Sequence, residues 1–425
     1  MKTWFNKKWG RELAFLIKNG FVHIFSASLI NRIIQFGISV VIARIISKES
    51  FGQFSYALNI LNFFLLLDGL GISSGLLQFG SKAKENNEAL SFLKFSLLVG
   101  ASFNILLALS IFAFTIFFDL PIAGSRRFLQ MLSFIPFVTV IFNVFQSFTR
   151  ARLMNKQFSI LTVFNTMMLF VFTTVCGLLF DVTGLVVARY TAFVLSIFLA
   201  LGLLRYQLTG FKNVDIPEKN IQRNFLTFSI VSMLTNSISQ TLYLIDTFLI
   251  GLMIRSETIV ATYKVSTLIP FSLFFIPASI MTFAYPYFAK YSDDKMFVKH
   301  YYRKLTWGLF ALNSVISLLL IAFAPFVIRL VFGSNYLDAV IPFRILSFGY
   351  LIAGTFRIPS GNLIASLGKV KVNFYNAVIS GIANVILDIL LIKYYGAVGA
   401  AIATALIFVI SSVVSGWYLN KYLSN

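Results

Sequence analysis

Residues 21–46 read FVHIFSASLINRIIQFGISVVIARII, a 26-residue run in which the charged side chains are Arg32 near the centre and Arg44 near the end. A helix needs about 20 predominantly apolar residues to cross a bilayer, and this run exceeds that length. Comparable runs recur as far as Leu419, in a chain that is 58% hydrophobic and 12% charged. The sequence therefore predicts an all-α integral membrane protein.

Twelve runs of this kind predict about twelve transmembrane helices with short connections. Their predicted bounds are 21–46, 52–79, 91–118, 128–149, 158–180, 184–204, 225–252, 258–288, 305–331, 339–366, 372–394 and 397–419. Because the connections are short, the 425 residues leave no room for a soluble catalytic domain. We therefore expect the function to reside in the helical bundle and the protein not to be an enzyme.

Positive charge is unevenly distributed between the predicted loops. The net charge of +20 would suggest a nucleic-acid partner in a soluble protein. When loops are assigned alternately from a cytoplasmic N-terminus, 23 Lys and Arg residues fall on the inner side and seven on the outer side. Cytoplasmic loops of membrane proteins carry such an excess. The charges thus predict that both termini are cytoplasmic, and we expect no nucleic-acid partner.

The N-terminal segment, residues 1–20, combines Trp4 and Trp9 with Lys7 and Lys8. This pattern is typical of an interfacial helix that contacts anionic lipid headgroups. A disordered basic leader is the alternative interpretation. The first apolar run is too long for the core of a signal peptide, so we expect no cleavable leader.

A hydrophilic stretch at the midpoint of the chain divides the predicted spans six and six. We predict an N-terminal six-helix lobe over residues 21–206, a cytoplasmic linker over 207–224 and a C-terminal six-helix lobe over 225–425. Short matches between the halves favour an internal repeat, including Gly184 with Gly399 at an offset of 215. In transporters built from such repeats, the substrate route lies between the halves.

Eight ionisable side chains lie well inside the predicted spans. Five are cationic and three are acidic: Arg32, Arg189, Lys264, Arg344 and Arg357 against Asp68, Asp246 and Asp388. A charge in hydrocarbon costs at least a few kcal/mol, so such residues usually line a polar pathway. The cationic excess predicts a cargo that carries negative charge.

Polar residues follow one face of several predicted spans. In the first span four of them share an arc of roughly 60° on a helix, namely Ser28, Arg32, Gln35 and Ser39. Similar faces occur in the spans 225–252 and 339–366. We therefore predict a substrate-binding cavity lined by Arg32, Gln35, Asn236, Lys264, Arg344, Tyr350 and Arg357.

Structural alternatives exist for several of these side chains. Ser and Asn residues hold membrane helices together by hydrogen bonds. Lys264, Arg189 and Arg344 lie close enough to the outer ends of their spans for their cationic groups to reach the interface.

The three acidic side chains have alternatives of the same kind. Asp246 is either an ion-coupling residue or the partner of Lys264 in a charge pair, because both lie at similar depth on consecutive helices. Asp68 precedes Gly69 and Gly71, which favours a polar kink in the helix over an ion-coupling site. We expect Asp388 to be structural.

Motifs for enzymatic chemistry fail on their context. The stretch Gly71 to Gly75 has the spacing of a serine-hydrolase nucleophile turn, but it lies in a predicted span, and the two histidines are at a span entrance and in a loop. Gly361 to Lys369 has the wrong spacing for a phosphate-binding loop. The single cysteine, Cys176, excludes thiolate clusters within the chain. We expect no cofactor and no metal.

Several segments resemble the polysaccharide-lipid flippases (Wzx type) of the MOP superfamily, which also holds the MATE multidrug antiporters and the peptidoglycan-precursor flippases. The segments are ARIISKESFGQFSYA from Ala43, LLDGLGISSGLLQF from Leu66, LIDTFLIG from Leu244, VATYKVST from Val260 and IKYYGAVGAAIAT from Ile392. The resemblance extends in order over nearly the whole chain.

The resemblance implies a V-shaped, MATE-like transporter of two six-helix lobes in the plasma membrane. It implies flipping of an isoprenoid-diphosphate-linked oligosaccharide to the outer leaflet, with a proton or sodium ion as a candidate coupling ion. A polysaccharide polymerase and glycosyltransferases are the candidate protein partners. The alternatives are a cation-coupled MATE-type multidrug exporter, whose acidic binding face is missing here, and a scaffold or membrane-embedded polymerase or glycosyltransferase.

Overall fold

The computed structural model describes residues 21–122 and 124–424, and helices make up most of this part of the chain. The predicted interfacial segment, residues 1–20, lies outside the described residues. The first helices are α1 (Phe21–Ile45), α2 (Lys48–Leu65), α3 (Ile72–Gly80), α4 (Asn86–Phe117), α5 (Ser125–Leu132), α6 (Ile135–Ala151) and α7 (Asn155–Leu203). The later ones are α8 (Lys219–Ile254), α9 (Glu257–Ser272), α10 (Phe275–Lys290), α11 (Lys295–Ala322), α12 (Ala324–Val331), α13 (Val340–Ile352), α14 (Ile358–Ser366) and α15 (Val370–Ser424).

These helices form two units. Of the described residues, the first unit comprises 21–46, Ile60–Leu120 and Arg126–Gln240, and the second comprises Ser47–Asn59, those within 121–125, and 241–424. The boundary between these two units lies inside α8, and two short segments of the N-terminal half belong to the second unit.

The predicted linker, residues 207–224, packs against α4 within the first unit. The ammonium group of Lys94 donates to the carbonyl of Val214 (2.7 Å), and the side-chain amide of Asn86 donates to the carbonyl of Gln207 (3.0 Å). At the end of this stretch, the ring of Phe225 stacks on Phe92 with 5.9 Å between centroids. Burial of such aromatic rings contributes a large part of the packing energy of a helical core.

The two longest helices each contain a sharp reversal. Asp181 in α7 has φ 53° and ψ −140°, and Gly396 in α15 has φ 54° and ψ −127°. A Cβ atom at Gly184 would lie 1.8 Å from the carbonyl oxygen of Cys176, and one at Gly399 would lie 2.1 Å from that of Leu391. Residues eight apart in a straight helix are about 12 Å apart, so both helices fold back as hairpins.

The two hairpins support the predicted internal repeat. Asp181 and Gly396 are separated by the same offset of 215 that relates Gly184 to Gly399. Each unit thus contains a hairpin with a close backbone contact at the same place. Only glycine fits at that contact, because any side chain would collide with the carbonyl of the opposite arm.

A second irregularity confirms the kink predicted at Asp68. Between α2 and α3, the residues Gly69, Leu70 and Gly71 have φ of 52°, 54° and 74°, and the two helices are bent by 40°. Positive φ suits glycine but is unfavourable for leucine. The kink is held by hydrogen bonds to Asp68 and its neighbour, described below.

Six helices of the described part are long and apolar enough to cross a membrane, and up to eight are if each bent helix pair counts as one span. Each of the twelve predicted runs lies largely on helical residues. The lower count arises partly because α7 and α15 each contain two predicted runs. The number of crossings and the side of each terminus stay predictions.

Candidate functional site

A polar cavity of about 400 Å³ opens in the second unit between α8, α14 and both arms of α15. Its polar lining consists of Tyr243, Arg357, Asn362, Asn373, Asn376, Ser380, Ser411 and Ser415. Arg357 supplies the positive charge, and the other groups supply amides, hydroxyls and one exposed aromatic ring. Among the residues predicted to line a substrate cavity, Arg357 is the one that the structure places here.

The position of Arg357 follows from an irregular turn in the chain. Residues Ala353–Arg357 form a turn of π-helix between α13 and α14. Pro359 lacks the backbone N–H that would bond to the carbonyl of Thr355, which accounts for the break in the regular pattern. Such π turns are frequent at functional sites because they redirect a side chain. The guanidinium carbon of Arg357 lies 5.2 Å from the centroid of Phe408, so a cation–π contact holds the half-buried side chain.

Hydrogen bonds fix the amide groups on the cavity wall. The side-chain nitrogen of Asn376 donates to the hydroxyls of Ser411 (3.0 Å) and Ser415 (2.7 Å). Asn362 and Asn373 each donate to a backbone carbonyl. A side-chain amide carries two N–H groups and one carbonyl oxygen. Asn376 uses its N–H groups on the two serines and its oxygen accepts from Ser380. The contacts between described residues leave Asn362 and Asn373 one N–H group each for a ligand.

A buried acidic centre lies elsewhere in the second unit, around Asp246. Its carboxylate accepts hydrogen bonds from the hydroxyl of Tyr263, from the hydroxyl of Thr404 (2.6 Å) and from the amide of Asn384 (3.3 Å). The amide of Asn384 also donates to one oxygen of Asp388 (2.9 Å), and the carboxyl groups of Asp388 and Asp246 lie within hydrogen-bond reach of each other. The helices α8 and α9 and both arms of α15 therefore contribute side chains to this centre.

The predicted charge pair between Asp246 and Lys264 is wrong. Asp246 faces Tyr263, and consecutive residues of a helix point about 100° apart. Lys264 therefore points away from the carboxylate, and its side chain is exposed. The ion pairs found among the described residues are Lys48 with Asp338 and Arg126 with Asp119.

Asp388 takes part in this centre, a role that the sequence reasoning missed. It is fully buried, and it lies one helical turn from Asn384 on α15. The signal was available in the sequence, because an amide and a carboxylate four residues apart share one face of an otherwise apolar helix.

Two other predicted cavity residues have structural contacts instead. Tyr350 is fully buried, and its hydroxyl donates to the side-chain oxygen of Asn313 (2.7 Å), so its assignment to the cavity lining is wrong. Arg344 is exposed, and its Nε donates to the carbonyl of Ile321 (3.0 Å) near the end of α11. A cation at the C-terminal end of a helix stabilises that end.

The predicted site residues of the first unit are exposed. Arg32 and Gln35 are exposed on α1, beside Asn31, which accepts a hydrogen bond from Thr166. Asn236 is exposed on α8. These three side chains are therefore accessible on the surface of their unit.

Asp68 has a structural environment. Its carboxylate accepts from the amides of Asn104 (2.6 Å) and Asn143 (3.2 Å). The side-chain oxygen of Asn104 accepts from the backbone of Gly69 (2.8 Å). The carboxylate thus stabilises the kink between α2 and α3, which is the structural alternative considered for it.

Solved structures of transporters share the fold of this chain. One is an inward-facing multidrug resistance MATE family transporter of the MOP superfamily, with TM-score 0.75 and 13% identity over 95% of this chain and 98% of that one. Another is the lipid II flippase MurJ in an inward closed conformation, with TM-score 0.72 and 17% identity over 93% and 87%. The chain has the fold of MOP-superfamily transporters, and with its long apolar helices it is a multi-pass membrane protein.

Sequence relationships narrow the class. Residues 16–292 match the polysaccharide biosynthesis protein family, and the chain belongs to that family. It is 32% identical over 105 residues to a probable low-salt glycan biosynthesis flippase of Haloferax volcanii, covering 25% of this chain and 22% of that one. It is 30% identical over 140 residues to an uncharacterised membrane protein of Methanocaldococcus jannaschii, covering 31% and 27%. The matched part thus spans about a quarter of the length of each curated relative. The predicted resemblance is confirmed.

Proposed function

We propose that this protein flips an isoprenoid-diphosphate-linked oligosaccharide from the cytoplasmic to the outer leaflet of a bacterial plasma membrane. The proposed mechanism is alternating access around a cationic cavity. The observation that carries the proposal is Arg357, a half-buried cation that is the one charged side chain among the described residues lining the cavity. Membership of the polysaccharide biosynthesis family supports it.

A diphosphate headgroup suits this cation. An Arg side chain holds phosphate oxygens through two parallel hydrogen bonds, which offsets part of the cost of removing the headgroup from water. With the cytoplasm negative, movement of two negative charges outward is favoured by about 4–5 kcal/mol per 100 mV. Arg32, exposed on α1, is proposed as a second contact for the diphosphate, with Gln35 and Asn236 as polar contacts for the headgroup.

The sugars of the cargo suit the rest of the cavity wall. Asn362 and Asn373 offer both donors and acceptors, which are the groups that bind sugar hydroxyls. The exposed ring of Tyr243 offers an apolar surface for a sugar face. Glycosyltransferases that make such a cargo and a polymerase that uses it are the proposed partners.

The buried acidic centre is proposed as the site of a coupling cation, either a proton or a sodium ion. Two buried carboxyl groups that lie next to each other, Asp246 and Asp388, repel when both are ionised and so favour the uptake of positive charge. Asp246→Asn removes one of the two negative charges, and it should abolish the dependence of flux on an imposed ion gradient. Flux driven by the membrane potential alone should continue.

The coupling test compares flux in vesicles with imposed proton or sodium gradients. Asp119→Asn serves as the control, because Asp119 is 95% exposed and forms a surface pair with Arg126. If the Asp246→Asn protein keeps the gradient dependence of the parent, the acidic centre is structural.

Lipid-linked oligosaccharide translocation in vesicles tests the cationic site. We expect Arg357→Lys to keep part of the flux, Arg357→Gln to lose it by about tenfold or more, and Arg357→Glu to abolish it, because an unpaired phosphate in a dehydrated cavity is costly. The same order is expected for Arg32. Flux is normalised to the amount of folded protein in the membrane.

Arg329→Gln is the matched control, because Arg329 is exposed on α12 and does not line the cavity. It removes the same charge and should leave the normalised flux unchanged. Parental flux in both the Arg32→Gln and Arg357→Gln proteins would contradict the proposal. Uptake of a cationic dye by the parent, without glycolipid flux, would instead establish the multidrug exporter.

A further inference from the structure

A second cavity, a groove of about 600 Å³, lies in the second unit between the first half of α11 and the end of α15. None of the described residues that line it also lines the polar cavity. The groove is therefore distinct from the polar cavity.

The lining of the groove is amphipathic along its length. Lys299 and Arg303 are one turn apart on α11, and both are exposed. Trp307 follows one turn later and is 61% exposed, with Phe310 and Phe356 beside it. No acidic side chain is found among the described lining residues. A cationic end that leads into an aromatic and aliphatic body matches the shape of an anionic lipid.

The floor of the groove is kept open by a glycine. Gly416 lies inside α15, where glycine destabilises a helix by about 1 kcal/mol relative to alanine. A Cβ atom at Gly416 would meet nothing within 4 Å, so close helix packing does not require glycine there. The missing side chain instead leaves space in the groove.

We propose that this groove binds an anionic phospholipid, with its phosphate at Lys299 and Arg303 and an acyl chain along Trp307, Phe310 and Phe356. On the predicted topology this end of the second unit faces the cytoplasmic leaflet, whose anionic lipids attract cations of this kind. The groove offers a single side-chain amide, Asn420, and few hydroxyls. A phospholipid therefore fits it better than a glycan-bearing cargo does.

Fluorescence quenching by brominated lipids tests the proposal. The full-length protein carrying W4F, W9F and W417F keeps Trp307 as its single tryptophan. It is reconstituted in mixtures of phosphatidylcholine with brominated phosphatidylglycerol or brominated phosphatidylcholine. We expect brominated phosphatidylglycerol to associate at Trp307 more tightly than the zwitterionic lipid, by about fivefold for each of the two cations.

Two variants separate the effect of charge from the effect of shape. K299A/R303A should bring the ratio of phosphatidylglycerol association to phosphatidylcholine association close to one. G416F should reduce the quenching by both brominated lipids, because the phenylalanine ring fills the groove. K82A/K84A is the control, since both lysines are exposed and lie in the first unit. This double substitution removes the same amount of positive charge as K299A/R303A. It should keep the parental preference.

Two results would overturn the proposal. One is equal association of the two lipids in the parent. The other is an unchanged preference in K299A/R303A. A third arm adds an isoprenyl diphosphate: displacement of phosphatidylglycerol only at equal or higher concentration supports a phospholipid site, whereas displacement at much lower concentration assigns the groove to the cargo lipid and contradicts the proposal.

Discussion

At the residue scale, the two hairpin reversals show how one backbone requirement is met by different side chains. Gly396 and Asp181 share a positive φ and a ψ near −130°. Glycine adopts this conformation readily, whereas residues with a Cβ atom are strained there by about 1–3 kcal/mol. The turn of the first unit is therefore the more strained of the two.

The strain predicts opposite effects of two substitutions. Asp181→Gly should raise the thermal stability of the protein, because the exposed aspartate is replaced by the residue that tolerates this backbone. Gly396→Ala should lower it, by about 1–3 kcal/mol. Thermal unfolding of the purified proteins in detergent measures both effects. A loss of stability in Asp181→Gly would show that the carboxylate contributes more than the backbone strain removes.

At the scale of single elements, the sequence predicted where helices lie but not which way their side chains face. The bilayer-length apolar runs all correspond to helix, because length and hydropathy alone determine them. Tyr350 was misassigned because an apolar helix with several polar residues does not reveal which face is buried. The partner of Asp246 was misassigned for the same reason, since Tyr263 and Lys264 are neighbours and the rotation of α9 could not be deduced. The kink at Asp68 was predictable from its adjacent glycines.

The close contact between the start of α2 and the start of α9 predicts the effect of a substitution on stability. A Cβ atom at Gly52 would lie 1.9 Å from the backbone oxygen of Glu257 at the start of α9. Gly52→Ala should therefore destabilise the second unit by about 1–3 kcal/mol, because the backbone of α9 has to move. Gly308→Ala is the control: nothing lies within 4 Å of its Cβ position, and it should be neutral or slightly stabilising. Thermal unfolding measures the stability of both variants. Equal stability of the Gly52→Ala and Gly308→Ala proteins would show that the backbone of α9 moves at little cost.

At the scale of the whole molecule, charge distribution predicts an orientation that a fold alone does not determine. Reporter fusions after Asn425 and within residues 206–224 should both report the cytoplasm, because most of the basic residues fall in loops on the same side as these positions. An outside signal at either position would contradict both the topology and the assignment of the lipid groove to the cytoplasmic leaflet. A fusion in the loop after Val331 should report the opposite side.

The membership of residues 47–59 in the second unit has a consequence for biosynthesis. Gly52 lies against Glu257, and the amide of Asn59 donates to the carbonyl of Leu244 (3.1 Å), a residue 185 positions later. While a ribosome is still translating the first half, this segment has none of these partners. The nascent chain must therefore hold part of α2 unassembled in the membrane until α8 and α9 have been inserted, and a half-length translation product cannot reach its native packing.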